Sequence, residues 1–107
     1  MVKELSEAAF AKTISEAAVP VLVDFWAPWC GACRSIGPVV EALEGEYADK
    51  LEVYKVNVDD NPALPEQFSI RAIPTLILFN NNEVQERITG AVSKANLQTV
   101  IDRALAG

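Results

Sequence analysis

The chain has 107 residues, of which 50% are hydrophobic and 22% charged, and it carries a formal net charge of −6. That balance fits a single globular domain spanning residues 1–107 and excludes a disordered tail. The nine Lys and Arg are scattered and no stretch approaches the roughly 20 apolar residues of a membrane span, so neither nucleic acid nor a membrane is expected as a partner.

Met1-Val2-Lys3-Glu4-Leu5 lacks the apolar run and cleavage site of a secretory signal, which points to the cytoplasm. Val2 to Leu5 reads as a short strand. Ser6 can then cap a helix with Phe10, Ile14 and Ala17 on one face, ended by Pro20. Val19 to Ala27 is a nearly continuous apolar run interrupted by Asp24, as suits a central strand buried on both faces. A helix starts near Cys30, with Ile36, Val40, Leu43 and Tyr47 as its inward stripe and Pro38 as an expected kink. Leu51 to Val58 is rich in β-branched residues and reads as a strand. Asn61-Pro62 offers an N-cap and first-turn proline for a short helix through Phe68.

Thr75 to Phe79 is the next strand, and Asn80-Asn81-Asn82 can turn the chain so that Val84 to Thr89 pairs back as a hairpin. Ser93 caps a last helix with Leu97, Val100, Ile101 and Leu105 inward. Strands alternating with helices predict an α/β fold with a mixed sheet covered on both faces, parallel at the start and antiparallel at the end. Glu41, Glu44 and Glu46 read as a solvated helix face.

Two cysteines, Cys30 and Cys33, follow the central strand and open a helix, and the chain has no histidine. Unpaired N–H groups and a partial positive charge at a helix N-terminus stabilise a thiolate, bringing a thiol pKa from about 8.5 into the range of roughly 3.5 to 7.5. Residues three apart on a helix have Cβ atoms about 5 to 6 Å apart, close to what a disulfide needs. Cys30, at the helix end, is expected to be the exposed nucleophile, and Cys33, one turn in, the shielded resolving thiol.

Two other readings stand beside this one. A structural staple over so short a loop gains only about 2 kcal/mol from chain entropy. A zinc site has two thiolates where four ligands are wanted, so that only a dimer completes it.

Val23-Asp24-Phe25-Trp26-Ala27-Pro28-Trp29-Cys30-Gly31-Ala32-Cys33 resembles the active-site segment of the thioredoxin family, and Ile73-Pro74-Thr75-Leu76 resembles its second hallmark. Element order and length agree over essentially the whole chain. The resemblance implies a thioredoxin-like fold, with a five-stranded mixed sheet flanked by four helices, and a monomer that reduces disulfides in other proteins. It also implies no bound cofactor beyond the redox-active Cys30–Cys33 disulfide, and recharging by an NADPH-dependent thioredoxin reductase. Two positions depart from the family's commonest pattern: Ala32 stands where Pro is usual, and Ala72 where many relatives carry Gly.

Asp24 is either a solvent-facing edge residue or a buried acid, and its apolar neighbours Leu22, Val23, Phe25 and Trp26 favour burial. The resemblance makes it the proton acceptor for Cys33 through a water, and burial should raise its pKa above about 3.9. Lys55 matches the family's lysine near that acid, against an ordinary surface lysine. Pro74 matches a cis proline, against the trans form usual for X-Pro bonds. A cis bond there turns the Ile73 backbone toward the cysteines, to pair with an extended peptide. Trp29 is either a core residue, as Trp26 is expected to be, or partly exposed; its place on the loop before the helix and the resemblance assign it, with Gly31, Ala32, Ile73, Gly90 and Ala91, to a docking surface, although Gly90 also fits a simple turn. Two functions compete with reduction: disulfide formation or isomerisation in an oxidising compartment, and a redox-silent scaffold for a partner.

Overall fold

In the computed structural model, which describes residues 1–107, the chain runs β1 (Lys3–Glu4), α1 (Glu7–Glu16), β2 (Val21–Trp26), α2 (Gly31–Glu46), β3 (Glu52–Asn57), α3 (Ala63–Gln67), β4 (Thr75–Asn80), β5 (Glu83–Thr89) and α4 (Lys94–Ala106). The strands form one sheet in the order β1-β3-β2-β4-β5. β1 and β2 each pair parallel with β3, whereas β2–β4 and β4–β5 are antiparallel. This is the mixed five-stranded sheet with four helices that the resemblance implies. β2 lies at its centre, which explains the lack of a polar face in its sequence.

Alternation along β2 separates two cores. Val21, Val23 and Phe25 pack with Phe10 and Ile14 of α1 and Leu64 of α3, while Leu22 packs on the other face with Ile36, Val40 and Leu43 of α2 and Leu97 and Ile101 of α4. Leu43 and Leu97 are wholly buried, and each such side chain stabilises the fold by about 2 kcal/mol. Asp24 follows Leu22 by two residues and therefore lies on the face that α2 covers.

Ser6 and Ser93 cap α1 and α4 as expected, accepting from the backbone N–H of Ala9 and Asn96. Asn81 and Asn82 take φ of 54° and 65° in the β4–β5 turn, the left-handed conformation that Asn tolerates. Three expectations need correction. Asn61 does not cap α3, whose N-cap position is Pro62 and has no side-chain cap. Its Oδ1 instead accepts from Glu7 N–H at 2.8 Å, and Glu7 Oε2 accepts in return from Ala63 N–H at 3.0 Å. The two helices thus exchange caps, each satisfying an orphan donor of the other. In α4 the deeply buried third position is Ala104; Val100 and Leu105 are half-buried, because the face opposite the sheet turns toward solvent there. The α2 glutamates are not simply solvated: Glu41 accepts from Val2 N–H, and Glu46 takes both Lys94 and Gln98 of α4.

Candidate active site

β2 ends at Trp26, and four residues later Cys30 occupies the N-cap of α2. The N-cap assignment has a chemical meaning. Cys30 Sγ accepts from Cys33 N–H at 3.1 Å, so the helix holds the sulfur as it would hold a capping oxygen. Gly31 and Ala32, exposed in the first turn, have backbone N–H groups with no acceptor within the chain. Negative charge on Cys30 therefore meets unpaired donors and the positive end of a 16-residue helix.

Cys30 and Cys33 are joined in a disulfide, with Cα atoms 5.2 Å apart. Contrary to the sequence reading, Cys30 is not an exposed residue: it is 7% accessible against 4% for Cys33. Both pack with Ala27, and Trp26, Val58 and Ile73 close over the cluster. Cys30 Sγ lies 3.8 Å from the Ile73 carbonyl oxygen. The short spacing predicted from helix geometry holds, and the difference in exposure is lost to a neighbour 43 residues away in sequence.

The Ile73-Pro74 bond is cis. Pro74 is buried, and its carbonyl oxygen accepts from Gly90 N–H at 2.8 Å. Gly90 has φ of +96°, a conformation that disfavours any side chain, so its turn role is real and its N–H is already committed. Ala91 is exposed beside it. Trp29 is 68% exposed, and its Nε1–H donates to Asp59 Oδ2 at 2.9 Å. It lines a groove of about 260 Å³ with Val58, Ile70, Ala72 and Ile73. Sequence reasoning did not single out Asp59, because nothing local ties it to Trp29, 30 positions away.

Asp24 is 4% exposed, as its apolar neighbours required. Burial pushes its carboxyl from an ordinary 3.8 up to about 7, and the positive charge of Lys55 opposes that rise. Lys55 is the cross-strand partner of Asp24 and is half-buried, with Nζ 5.2 Å from the centroid of the Trp26 ring. Asp24 Oδ1 and Trp26 Nε1 have no hydrogen-bond partner within the protein.

Reversible exchange of disulfides is the chemistry such a junction supports, since two sulfurs close enough to bond sit at the positive end of one helix; the class so defined is that of the thiol–disulfide oxidoreductases. The sequence profile of the thioredoxin family matches residues 1–103. The chain is 44% identical over 101 residues to Thioredoxin 1 of Synechococcus elongatus, covering 94% of each protein, and 46% identical over 101 residues to Thioredoxin of Acidithiobacillus ferridurans, again covering 94% of each. It is also 44% identical over 104 residues to the chloroplastic M-type thioredoxin of Spinacia oleracea, covering 97% of this chain and 58% of that protein. The chain belongs to the thioredoxin family, and its activity is thiol–disulfide reduction through the Cys30–Cys33 dithiol.

Proposed function

We propose that the chain acts as a monomeric, single-domain protein-disulfide reductase of the cytoplasm in which Cys30 attacks, Cys33 resolves and Asp24 moves the proton. The observation that carries the assignment of Cys30 is its sulfur at the α2 N-cap, accepting from Cys33 N–H at 3.1 Å. The Cys30 thiolate attacks one sulfur of a substrate disulfide, forming a mixed disulfide and releasing the other sulfur as a thiolate. Cys33 gives its proton to Asp24, poised near neutrality by burial. The Cys33 thiolate attacks Cys30 Sγ, the second substrate sulfur leaves, and the Cys30–Cys33 disulfide remains. Two electrons have passed to the substrate. An NADPH-dependent thioredoxin reductase returns them, and no cofactor is held by the chain itself.

Substrate docks across Trp29, Gly31, Ala32, Ile73, Pro74, Gly90 and Ala91. Support comes from the exposed Trp29 ring, the groove it shares with Ile73, and the nearness of the Ile73 carbonyl to Cys30. Lys55 modulates Asp24 through its charge. A reductant needs a reducing compartment; the likeness to a chloroplastic protein makes the chloroplast the second reading.

Trapping tests the order of attack. Cys33→Ser with an oxidised protein substrate should accumulate a mixed disulfide on Cys30, whereas Cys30→Ser should accumulate none. Equal trapping on either cysteine overturns the assignment.

A further inference from the structure

The loop that follows β3 carries an unusual density of satisfied polar groups for a surface connection. Asn57 and Asn61 are 9% and 8% exposed, and burying an amide is costly unless it is hydrogen-bonded. Asn57 Oδ1 accepts from Asp59 N–H at 3.0 Å, a side-chain turn that fixes the backbone two residues on. The Asn57 carbonyl oxygen accepts from Asn61 Nδ2 at 3.0 Å and from Asp60 N–H at 3.2 Å. Asn61 Oδ1 is held in turn by Glu7 N–H. Val58 N–H is tied to the Trp26 carbonyl oxygen at 2.9 Å. Every one of these bonds restrains the same few residues.

What emerges from that restrained loop is the Asp59 carboxylate, whose Oδ2 takes the Trp29 indole N–H. An indole that is 68% exposed can exchange a protein acceptor for water at little cost, so the bond persists only if the acceptor is already in place. We propose that Asn57, braced by Asn61, is a positioning residue for disulfide reduction: it locks Asp59 so that the Trp29 ring is held at the rim of the groove beside Cys30. The proposal rests on the reading of Trp29 as part of the docking surface. Asn57 touches neither sulfur nor substrate, and its effect reaches the reaction through Asp59 and then Trp29.

The test compares Asn57→Ala and Asn57→Asp with Asp59→Ala and Trp29→Ala, using oxidised insulin as substrate and the Trp29 indole N–H resonance as the structural signal. In Asn57→Ala the resonance should move to the position it takes in Asp59→Ala. KM should rise about fivefold, the worth of one ordinary hydrogen bond, with kcat within about twofold. Asn57→Asp keeps the acceptor for Asp59 N–H and should restore both. Where Asn57→Ala does not fold, Asn57→Ser, with a weaker acceptor, should displace the resonance part of the way.

An indole resonance unmoved in Asn57→Ala or Asn57→Ser overturns the proposal, and so does a lowered melting temperature with resonance and KM unchanged. If the resonance moves in Asn57→Ala and Asp59→Ala while KM holds in both and in Trp29→Ala, the tether stands and the docking reading falls.

Discussion

Lys55 stands directly opposite Asp24 in the parallel β2–β3 ladder, and its charge opposes the rise that burial imposes on the Asp24 carboxyl. The ammonium does not bond the carboxylate: Asp24 Oδ1 has no partner within the protein, and Lys55 Nζ lies over the Trp26 ring. The pair therefore acts through space, which leaves the acid weak enough to accept a proton near neutrality.

The first consequence is a stability that depends on pH. Asp24 binds its proton more tightly folded, at about 7, than at the ordinary 3.8. Stability contributed by this group is therefore full below pH 3.8, falls as pH rises toward 7, and is level above that. The shift corresponds to a penalty of about 4 kcal/mol at neutral pH and above. Asp24→Ala removes it and loses some packing, so the variant should be more stable than the parent by about 2 to 4 kcal/mol at pH 8. It should show no gain at pH 3.5, and it should reduce insulin more slowly. Denaturant unfolding at the two pH values checks the sign; a gain of equal size at both rules out ionisation of Asp24 as its cause.

Lys55→Met provides the complementary measurement. Losing the cation removes the influence that favours the carboxylate, so the Asp24 titration midpoint should move upward. The pH profile of reduction should follow in the same direction. A carboxyl carbon titration reports the midpoint directly, and an unchanged midpoint means that Lys55 and Asp24 are uncoupled.

Local patterns carried most of the fold into the sequence. β2 and β4 are legible because almost every residue in them is apolar, and the Ser6 and Ser93 caps because their hydrogen bonds close within three residues. The cysteine spacing and the acid in the central strand were legible for the same reason. What escaped depends on partners remote in the chain. Asn61 satisfies Glu7 from 54 positions away, so the Asn-Pro signal was read as a cap for the nearer helix. Cys30 is covered by Ile73, and no property of the Trp-Cys-Gly segment announces that. Asp59 became significant only once the Trp29 indole was found beside it.

Two positive-φ positions should respond in opposite directions to substitution. Ser69 has φ of 53°, a left-handed conformation that costs an L-residue about 1 to 2 kcal/mol. Ser69→Gly relieves it, less the roughly 0.5 to 1 kcal/mol that glycine loses in ordering, for a net gain of up to about 1 kcal/mol. At Gly90, with φ of +96°, an added Cβ meets nothing within 4 Å, so Gly90→Ala should cost only the conformational penalty of about 1 to 2 kcal/mol. Urea midpoints measured side by side give both signs.

Ala32→Pro tests how the first turn of α2 sets the redox behaviour of the pair. Ala32 is the second residue of the helix, and its N–H has no acceptor in the chain. Proline is accommodated in a first helical turn because no backbone hydrogen bond is lost there, so the fold should persist. What disappears is one of the donors facing the charge on Cys30. A donor at a helix N-terminus stabilises a nearby anion by roughly 0.3 to 1 kcal/mol, and weakening the thiolate weakens the reduced state. The reduction potential should become more negative by about 5 to 20 mV, on the scale at which 30 mV corresponds to about 1.4 kcal/mol. Alkylation of Cys30 by iodoacetamide at pH 6 should slow in parallel, since fewer molecules carry the thiolate. Equilibration with glutathione measures the potential. A potential displaced in the positive direction contradicts the role given to this N–H.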